Sequence, residues 1–138
     1  MIHFDEPWLT VHWDESCQAV WMEWKSYVEG DDARRGLEAG LVLFQRKHTS
    51  RWLADVRLLG PVRQVDQQWI NRDWFPRAIA AGLRFMATVV PKSAIARMSV
   101  KQIMSKVNDV DIVNSNFDDL EQARSWLRSQ PKIRPGGL

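Results

Sequence analysis

Two acids and an arginine near the middle of the chain could take part in acid–base chemistry. Asp55, Arg57 and Asp66 lie at and after the end of an apolar segment, and open α/β sheets bind ligands beyond the carboxyl ends of their strands. A carboxylate placed there could accept a proton from a substrate. No nucleophile or metal-binding residue stands beside these three, so a salt-bridged loop is the better interpretation. The sequence therefore predicts no catalytic residue, and we expect a protein that is not an enzyme.

The residue types that bind metals and cofactors are few and scattered. His3, His12 and His48 lack the close spacing of a zinc motif. Cys17 is the single cysteine, which excludes an internal disulfide, and its apolar neighbours predict a buried thiol. Glycine patterns typical of phosphate or dinucleotide binding do not occur. We expect neither a metal nor a cofactor.

The chain is rich in tryptophan, with eight in 138 residues. Trp69 and Trp74 flank Arg72 at a predicted helix break, and tryptophan with arginine is typical of interaction hot spots. The alternative is that both tryptophans pack the helix onto the sheet, and the sequence leaves this open. Together with the loop after the apolar segment they define a predicted partner-binding surface, made of Arg57, Leu58, Gly60, Trp69, Arg72 and Trp74.

Charge is unevenly distributed along the chain. Residues 1–32 hold eight acids and one base, whereas residues 74–107 hold six bases and no acid. This indicates either two regions that match each other in the fold or a basic docking surface for an acidic partner or an anionic lipid. The net charge of +2 is too small to indicate nucleic-acid binding.

Hydrophobic periodicity predicts the elements that position these residues. Segments 8–13 and 17–24 are rich in β-forming residues and predict a β-hairpin. Residues 31–47 have helical apolar spacing, within which Gly36 and Gly40 indicate close packing. Strands are predicted at 52–56, 83–90 and 111–113. A helix in two pieces is predicted over 63–81, broken near Asp73 and Pro76, and further helices over 93–105 and from Asp118 to 129.

This order predicts an α/β fold with a five-stranded, mostly parallel sheet, opened by the hairpin and accompanied by about four helices. Residues 1–130 are long enough for a single domain, and residues 131–138 resemble a flexible tail. The sequence has no apolar run of transmembrane length and no signal segment at its start. We therefore expect a cytoplasmic protein. The central strand of the sheet is expected to be either 51–56 or 83–90, because neither segment shows polar alternation.

Two segments carry a resemblance to a known family. WLADVR at 52–57, followed by Gly60 and Pro61, and WFPRAIAAGLRFMA at 74–87 resemble the SpoIIAA-like group, which includes STAS domains and STAS/SEC14-like bacterial proteins. The resemblance spans about residues 8–129 and also rests on the predicted order of elements, β-β-α-β-α-β-α-β-α. In its anti-sigma-factor antagonists a serine or threonine after the central strand is phosphorylated. Here the segment from Asp55 to Asp66 contains no hydroxyl residue, so that switch is not expected.

Two functions remain open from the sequence. The first is a regulatory or scaffolding domain that binds another protein, or a second copy of itself as a homodimer. The second is a pocket for a lipid or other apolar small molecule, which the SEC14-like relatives and the aromatic content suggest. The segment from Leu58 to Trp74 is expected to carry the function in either case.

Overall fold

The computed structural model describes residues 1–132, which fold around one six-stranded sheet. The strands lie side by side in chain order: β1 Ile2–Glu6, β2 Leu9–Asp14, β3 Ala19–Trp24, β4 Arg51–Asp55, β5 Phe85–Val89 and β6 Val113–Phe117. The pairs β1–β2 and β2–β3 are antiparallel, and β3 to β6 run parallel to one another. The α/β class is confirmed. The five-stranded, mostly parallel sheet is corrected to a mixed sheet of six strands.

The additional strand is β1, which was not predicted from the sequence. Its segment IHFDE carries two acids, and most of its side chains are half-buried or exposed, as is common at a sheet edge. It pairs with β2, so the predicted hairpin of β2 and β3 is present but is not itself the edge. Both candidates for the central strand, β4 and β5, lie inside the sheet.

The α-helices in the described residues are α1 Gly30–Lys47, α2 Gln64–Trp69, α3 Phe75–Ala80, α4 Ala94–Met104 and α5 Leu120–Ser129. Three crossover connections contain α1 to α4, and they lie on one face of the sheet. Because β3 to β6 advance in one direction across the sheet, crossovers of a single hand all pass over the same face. The main core forms there, beneath α1 to α4. A smaller core forms under α5 on the opposite face.

Two glycines bring α1 close to the sheet. A Cβ atom added at Gly40 would lie 2.6 Å from the Met22 sulfur and 2.8 Å from the Trp52 ring. One added at Gly36 would lie 2.4 Å from a methyl carbon of Leu9. These distances are too short for any side chain, which confirms the close-packing role predicted for both glycines.

The helix predicted to break between residues 63 and 81 is instead continuous, with a π-helical segment at Ile70–Trp74 between α2 and α3. Pro76 has no N–H to donate, and its ring would collide with the carbonyl four residues earlier in a regular α-helix. A wider turn relieves that collision, and the Phe75 N–H bonds to the Ile70 carbonyl, five residues back. Gly82, at φ 111°, follows the end of α3.

The last elements differ slightly from the sequence prediction. The predicted strand at 111–113 lies at Val113–Phe117, and the N-cap of α5 is Asp119 rather than Asp118, with its carboxylate accepting a hydrogen bond from the Glu121 N–H. Of the predicted tail, residues 131 and 132 have no regular secondary structure, and 133–138 lie outside the described residues. Within residues 1–132, no helix is long and apolar enough to cross a bilayer.

Candidate functional site

A cavity lies in the main core, between the sheet and the helices that cover it. Its volume is about 110 Å³, and its wall contains residues of the strands β3 to β5, of the helices α1, α3 and α4, and of the π-helical segment. We call it the Trp74 cavity. Its lining residues are Trp24, Val28, Ala33, Leu37, Trp52, Ala54, Val56, Leu59, Val62, Ile70, Trp74, Phe75, Met86, Thr88, Val100, Ile103 and Met104.

Aromatic rings form the part of the wall around Trp74. The Trp74 ring is 1% exposed and packs edge-on against Trp52, with their centroids 5.0 Å apart. Phe75 packs against the other side of Trp74 at the same separation. The Trp74 Nε1–H donates to the Leu37 carbonyl over 3.1 Å. This bond fixes the ring in the space between α1 and β4, at the end of the π-helical segment.

The wall of the Trp74 cavity is mostly apolar, and two of its few polar groups already have hydrogen-bond partners inside the protein. Thr88 is the only lining residue with a side-chain hydroxyl, and that hydroxyl donates to Asn114 Oδ1 over 2.9 Å. The indole N–H of Trp74 is occupied by Leu37. Because a polar ligand would lose its hydrogen bonds with water and gain none from these groups, the cavity favours an apolar occupant.

Side-chain hydrogen bonds hold α4 against the segment that crosses the cavity. Asn71, in the π-helical segment, donates its amide to the Ile103 carbonyl over 3.0 Å. Gln67 of α2 donates to Gln102 over 3.0 Å. Together with the bond from the Val62 N–H to Ser99 Oγ, at 3.0 Å, they connect α4 to residues 62–71. These bonds fix α4 beside the part of the wall formed by Val62 and Ile70.

The six residues of the predicted partner-binding surface do not form one patch. Trp74 lies in the core, which is the alternative left open from the sequence. Leu58 is 58% exposed, and Arg57 is held by two hydrogen bonds to Asp55, at 2.7 and 2.8 Å. Gly60 packs against Tyr27, where an added Cβ would lie 3.1 Å away.

The two remaining residues lie on the helical side of the molecule. Trp69 is half-buried, with the Arg34 and Arg77 guanidinium carbons 5.2 and 6.0 Å from its ring centroid. Arg72 is exposed. The segment expected to carry the function does reach the cavity, but through Leu59, Val62, Ile70 and Trp74, of which only Trp74 was a predicted site residue.

The two carboxylates considered for acid–base chemistry have separate structural partners. Asp55, 2% exposed, binds Arg57 and accepts a hydrogen bond from Trp21 Nε1 at 3.2 Å. Asp66, also 2% exposed, accepts from Arg63 Nε at 3.0 Å and from the backbone N–H of Gly30 at 3.1 Å.

Burial opposes ionisation of Asp66, but its hydrogen bonds to Arg63 and Gly30 outweigh that effect and hold its pKa below the ordinary value. Each carboxylate thus belongs to an ion pair that fixes a loop, in agreement with the salt-bridged interpretation.

The thiol of Cys17 and the hydroxyl of Ser50, which could also take part in chemistry, are buried in the structure. Burial raises the pKa of the Cys17 thiol to about 12, so this buried residue is not a reactive thiolate. Ser50, which precedes β4, is 2% exposed, and a kinase could reach it only after local unfolding. No three histidine, cysteine or acidic residues in the described part of the chain are grouped to hold a metal ion.

A polar aromatic cluster on the opposite face of the sheet was missed from the sequence. The His12 and Trp21 rings stack at a centroid distance of 4.0 Å, and the His12 ring nitrogen lies 2.9 Å from Glu23. Arg124 of α5 lies 4.8 Å from the Trp21 ring and bonds to Asp14 at 2.7 Å. Alternation along β2 and β3 could have placed His12, Trp21 and Glu23 on one face, but not the contribution from α5.

Comparisons with family models, with curated proteins and with solved structures gave no match to this chain.

Proposed function

We propose that this protein is a non-catalytic binding domain that holds a small apolar molecule in the Trp74 cavity. The observation that carries the proposal is a cavity of about 110 Å³ whose wall is mostly apolar, and in which the Thr88 hydroxyl and the Trp74 N–H already have hydrogen-bond partners inside the protein. Such a site gains binding free energy by removing apolar surface from water. The SpoIIAA-like resemblance remains part of this proposal, resting on the segments that become β4 and the region from Trp74 to β5.

The size of the cavity limits what it can hold without rearrangement. Engineered apolar cavities of about 150 Å³ stay dry and bind benzene or xenon. A cavity of 110 Å³ suits a compact hydrocarbon group of similar or slightly smaller size. Met86 and Met104 are adaptable lining residues, because the unbranched thioether chain can adopt several rotamers.

Benzene should stabilise the wild-type protein, and a filled cavity should abolish that effect. At a concentration about tenfold above its Kd, benzene should raise the free energy of unfolding by about 1.4 kcal/mol and the melting temperature by several degrees. Ala54→Val adds two methyl groups at the β4 wall, so the variant should be as stable as wild type or more stable and should not respond to benzene. Differential scanning calorimetry measures both quantities.

The matched control is Val65→Ala, which changes an exposed side chain on α2. This variant should keep the full response to benzene. If Ala54→Val responds as strongly as wild type, benzene binds elsewhere and the proposed site is wrong.

A second candidate is a regulatory or scaffolding interaction with a protein partner or a second copy of the chain. The specific observation in its favour is the half-buried Trp69 beside Arg34 and Arg77, with the exposed Arg72 one helical turn further along the chain. Tryptophan and arginine are the residue types most enriched among interface residues that dominate binding energy. The opposing explanation is that the two arginines only fix α1 and α3 against Trp69.

Trp69→Ala distinguishes these explanations. An interface role predicts that association weakens by about 2 kcal/mol or more, a roughly thirtyfold increase in Kd. A purely structural role predicts a lower melting temperature and unchanged association. Sedimentation velocity reports self-association, and affinity capture from the host followed by titration reports a partner. Arg46→Ala, at an exposed position at the end of α1, is the control.

A further inference from the structure

The basic segment noted in the sequence does not meet the acidic one in the fold. Of its six bases, Arg77 forms ion pairs with Glu38 in the middle of α1 and with Asp73 in the π-helical segment. Arg84 donates to the backbone carbonyls of Val110 and Asp111. Lys92, Arg97, Lys101 and Lys106 are exposed, and none forms an ion pair with a carboxylate within residues 1–132. The acids of residues 1–32 instead pair with Arg35, Arg63, Arg124 and other groups near them.

Large apolar side chains lie among these unpaired bases. Ile95 and Met98, one helical turn apart on α4, are 65% and 61% exposed. Leu58 is 58% exposed and lies at the same end of the sheet, because the Lys92 N–H donates to the carbonyl of the neighbouring Arg57 over 3.2 Å. The buried face of α4 is separate and consists of Ala96, Ser99 and Ile103. The outward face of α4 therefore combines exposed alkyl groups with uncompensated positive charge.

A groove runs along α4 beside this face, between the helix and the edge strand β6. It has a volume of about 530 Å³, and Arg97, Lys101 and Ser105 line it on the helix side. Asn114 and Asn116 of β6 line the other side. Guanidinium, ammonium, hydroxyl and amide groups are the donors that bind phosphate oxygens. The Ser105 hydroxyl already donates to the Gln102 carbonyl and Arg97 Nε to the Pro91 carbonyl. The donors that the groove offers to an anionic group are therefore chiefly the terminal guanidinium nitrogens of Arg97 and the Lys101 ammonium, next to the exposed Met98.

We propose that α4 docks this protein on the surface of an anionic lipid bilayer, with lipid phosphates in the groove at Arg97 and Lys101. Ile95, Met98 and Leu58 enter the boundary between headgroups and acyl chains, as the apolar face of an interfacial helix does. Anionic bilayers attract clustered bases. Such a surface would supply the negative charge that no carboxylate within residues 1–132 brings into an ion pair with Lys92, Arg97, Lys101 or Lys106. The proposal does not depend on the Trp74 cavity being occupied.

Vesicle flotation tests the proposal with the wild-type chain. The protein should float with vesicles of phosphatidylcholine containing about 30 mol% phosphatidylserine and should stay behind with pure phosphatidylcholine. Arg97→Gln combined with Lys101→Gln should lower the partition coefficient about tenfold or more. Ile95→Ser combined with Met98→Ser should also lower it severalfold, because the alkyl contribution is lost.

Matched controls on α1 separate this surface from general charge and hydrophobicity. Arg46→Gln removes an exposed base and Val42→Ser an exposed alkyl group, and both variants should float like wild type. The four substituted α4 side chains are exposed, so their variants should keep the wild-type melting temperature. A loss of vesicle binding without a loss of melting temperature is therefore the expected result.

Three results would overturn the proposal: equal binding to neutral vesicles, no binding to anionic vesicles, or equal loss in the α1 controls. A polyglutamate peptide serves as a second probe, because it carries negative charge without a lipid surface. If the protein binds this peptide as tightly as anionic vesicles, and if Ile95→Ser with Met98→Ser leaves both unchanged, then the surface binds an acidic protein and the lipid proposal is wrong. Inorganic phosphate should compete only weakly, because it cannot use the alkyl groups.

Discussion

Replacing Trp74 with alanine should lower the free energy of unfolding by about 3–5 kcal/mol, a large part of the stability of a domain of this size. The side chain is 1% exposed, contacts Trp52 and Phe75, and binds the Leu37 carbonyl. Its removal enlarges a cavity that already exists, so neighbouring side chains can fill little of the space. Urea denaturation should show the loss, and the melting temperature should fall by roughly 10–20 °C.

Two comparisons identify the cause of that loss. Trp74→Phe keeps most of the apolar volume but leaves the Leu37 carbonyl without its indole donor, so it should cost about 1–2 kcal/mol. Indole should partly restore the melting temperature of Trp74→Ala by binding the enlarged cavity, and it should do little for Trp69→Ala. A Trp74→Ala variant as stable as wild type would show that the ring is not a core residue.

Asp66→Asn should cost about 2 kcal/mol of stability at pH 7, because the substitution weakens charge-assisted hydrogen bonds at a buried position. The Asp66 carboxylate joins α2 to the first residue of α1 through the Gly30 N–H, and it also binds Arg63. An asparagine can keep one acceptor oxygen but not the charge. The free energy of unfolding from urea titrations at pH 7 gives the loss directly.

The cost of Asp66→Asn should depend on pH in a defined direction. The folded-state pKa of Asp66 is lower than its ordinary value, despite the opposing effect of burial. Its stabilising contribution is therefore fully present above the unfolded pKa of about 4 and is lost as the pH falls through the lower folded value. The difference in unfolding free energy between wild type and variant should begin to shrink as the pH falls below about 4 and should go on shrinking as the pH passes through the lower folded pKa. The control Asp109→Asn, at an exposed loop position, should show no such difference.

Local patterns predicted the elements with strong periodicity. The hairpin of β2 and β3, the long helix α1 and the interior strands β4 and β5 are each specified by their own residues. Close packing at Gly36 and Gly40 could also be predicted, because glycine inside a good helical pattern needs such a reason. The edge strand β1 was missed because its acidic residues give it little apolar alternation, and its structure depends on pairing with β2.

The helix around Pro76 shows how a local signal can be interpreted too strongly. A proline and a possible Asp73 cap predicted two helical pieces, since proline excludes the regular hydrogen bond. A π-helical turn satisfies the same constraint without ending the helix. This solution keeps Trp69 near the surface of the helical layer and directs Trp74 into the core, which separates two residues that the sequence placed in one candidate patch.

An apolar pocket was one of the two functions left open from the sequence, but the position of the cavity could not be predicted because its wall is assembled from distant parts of the chain. Trp24, Trp52, Trp74 and Met104 come from β3, β4, the π-helical segment and α4. The expectation of a ligand site at the sheet edge relied on folds whose strand order reverses. Here β3 to β6 follow one another without reversal. The helices therefore cover one face continuously, and the space lies beneath them.

Mass spectrometry of an organic extract of the purified protein tests directly whether the Trp74 cavity is occupied in the cell. Wild-type protein expressed in its host should yield a compact apolar compound, or one with a compact apolar end, in an amount approaching one molecule per chain. Ala54→Val prepared in parallel should yield far less of that compound, and Val65→Ala should yield the wild-type amount. An extract of the wild type without such a compound, or the same yield from Ala54→Val, would contradict the proposed function.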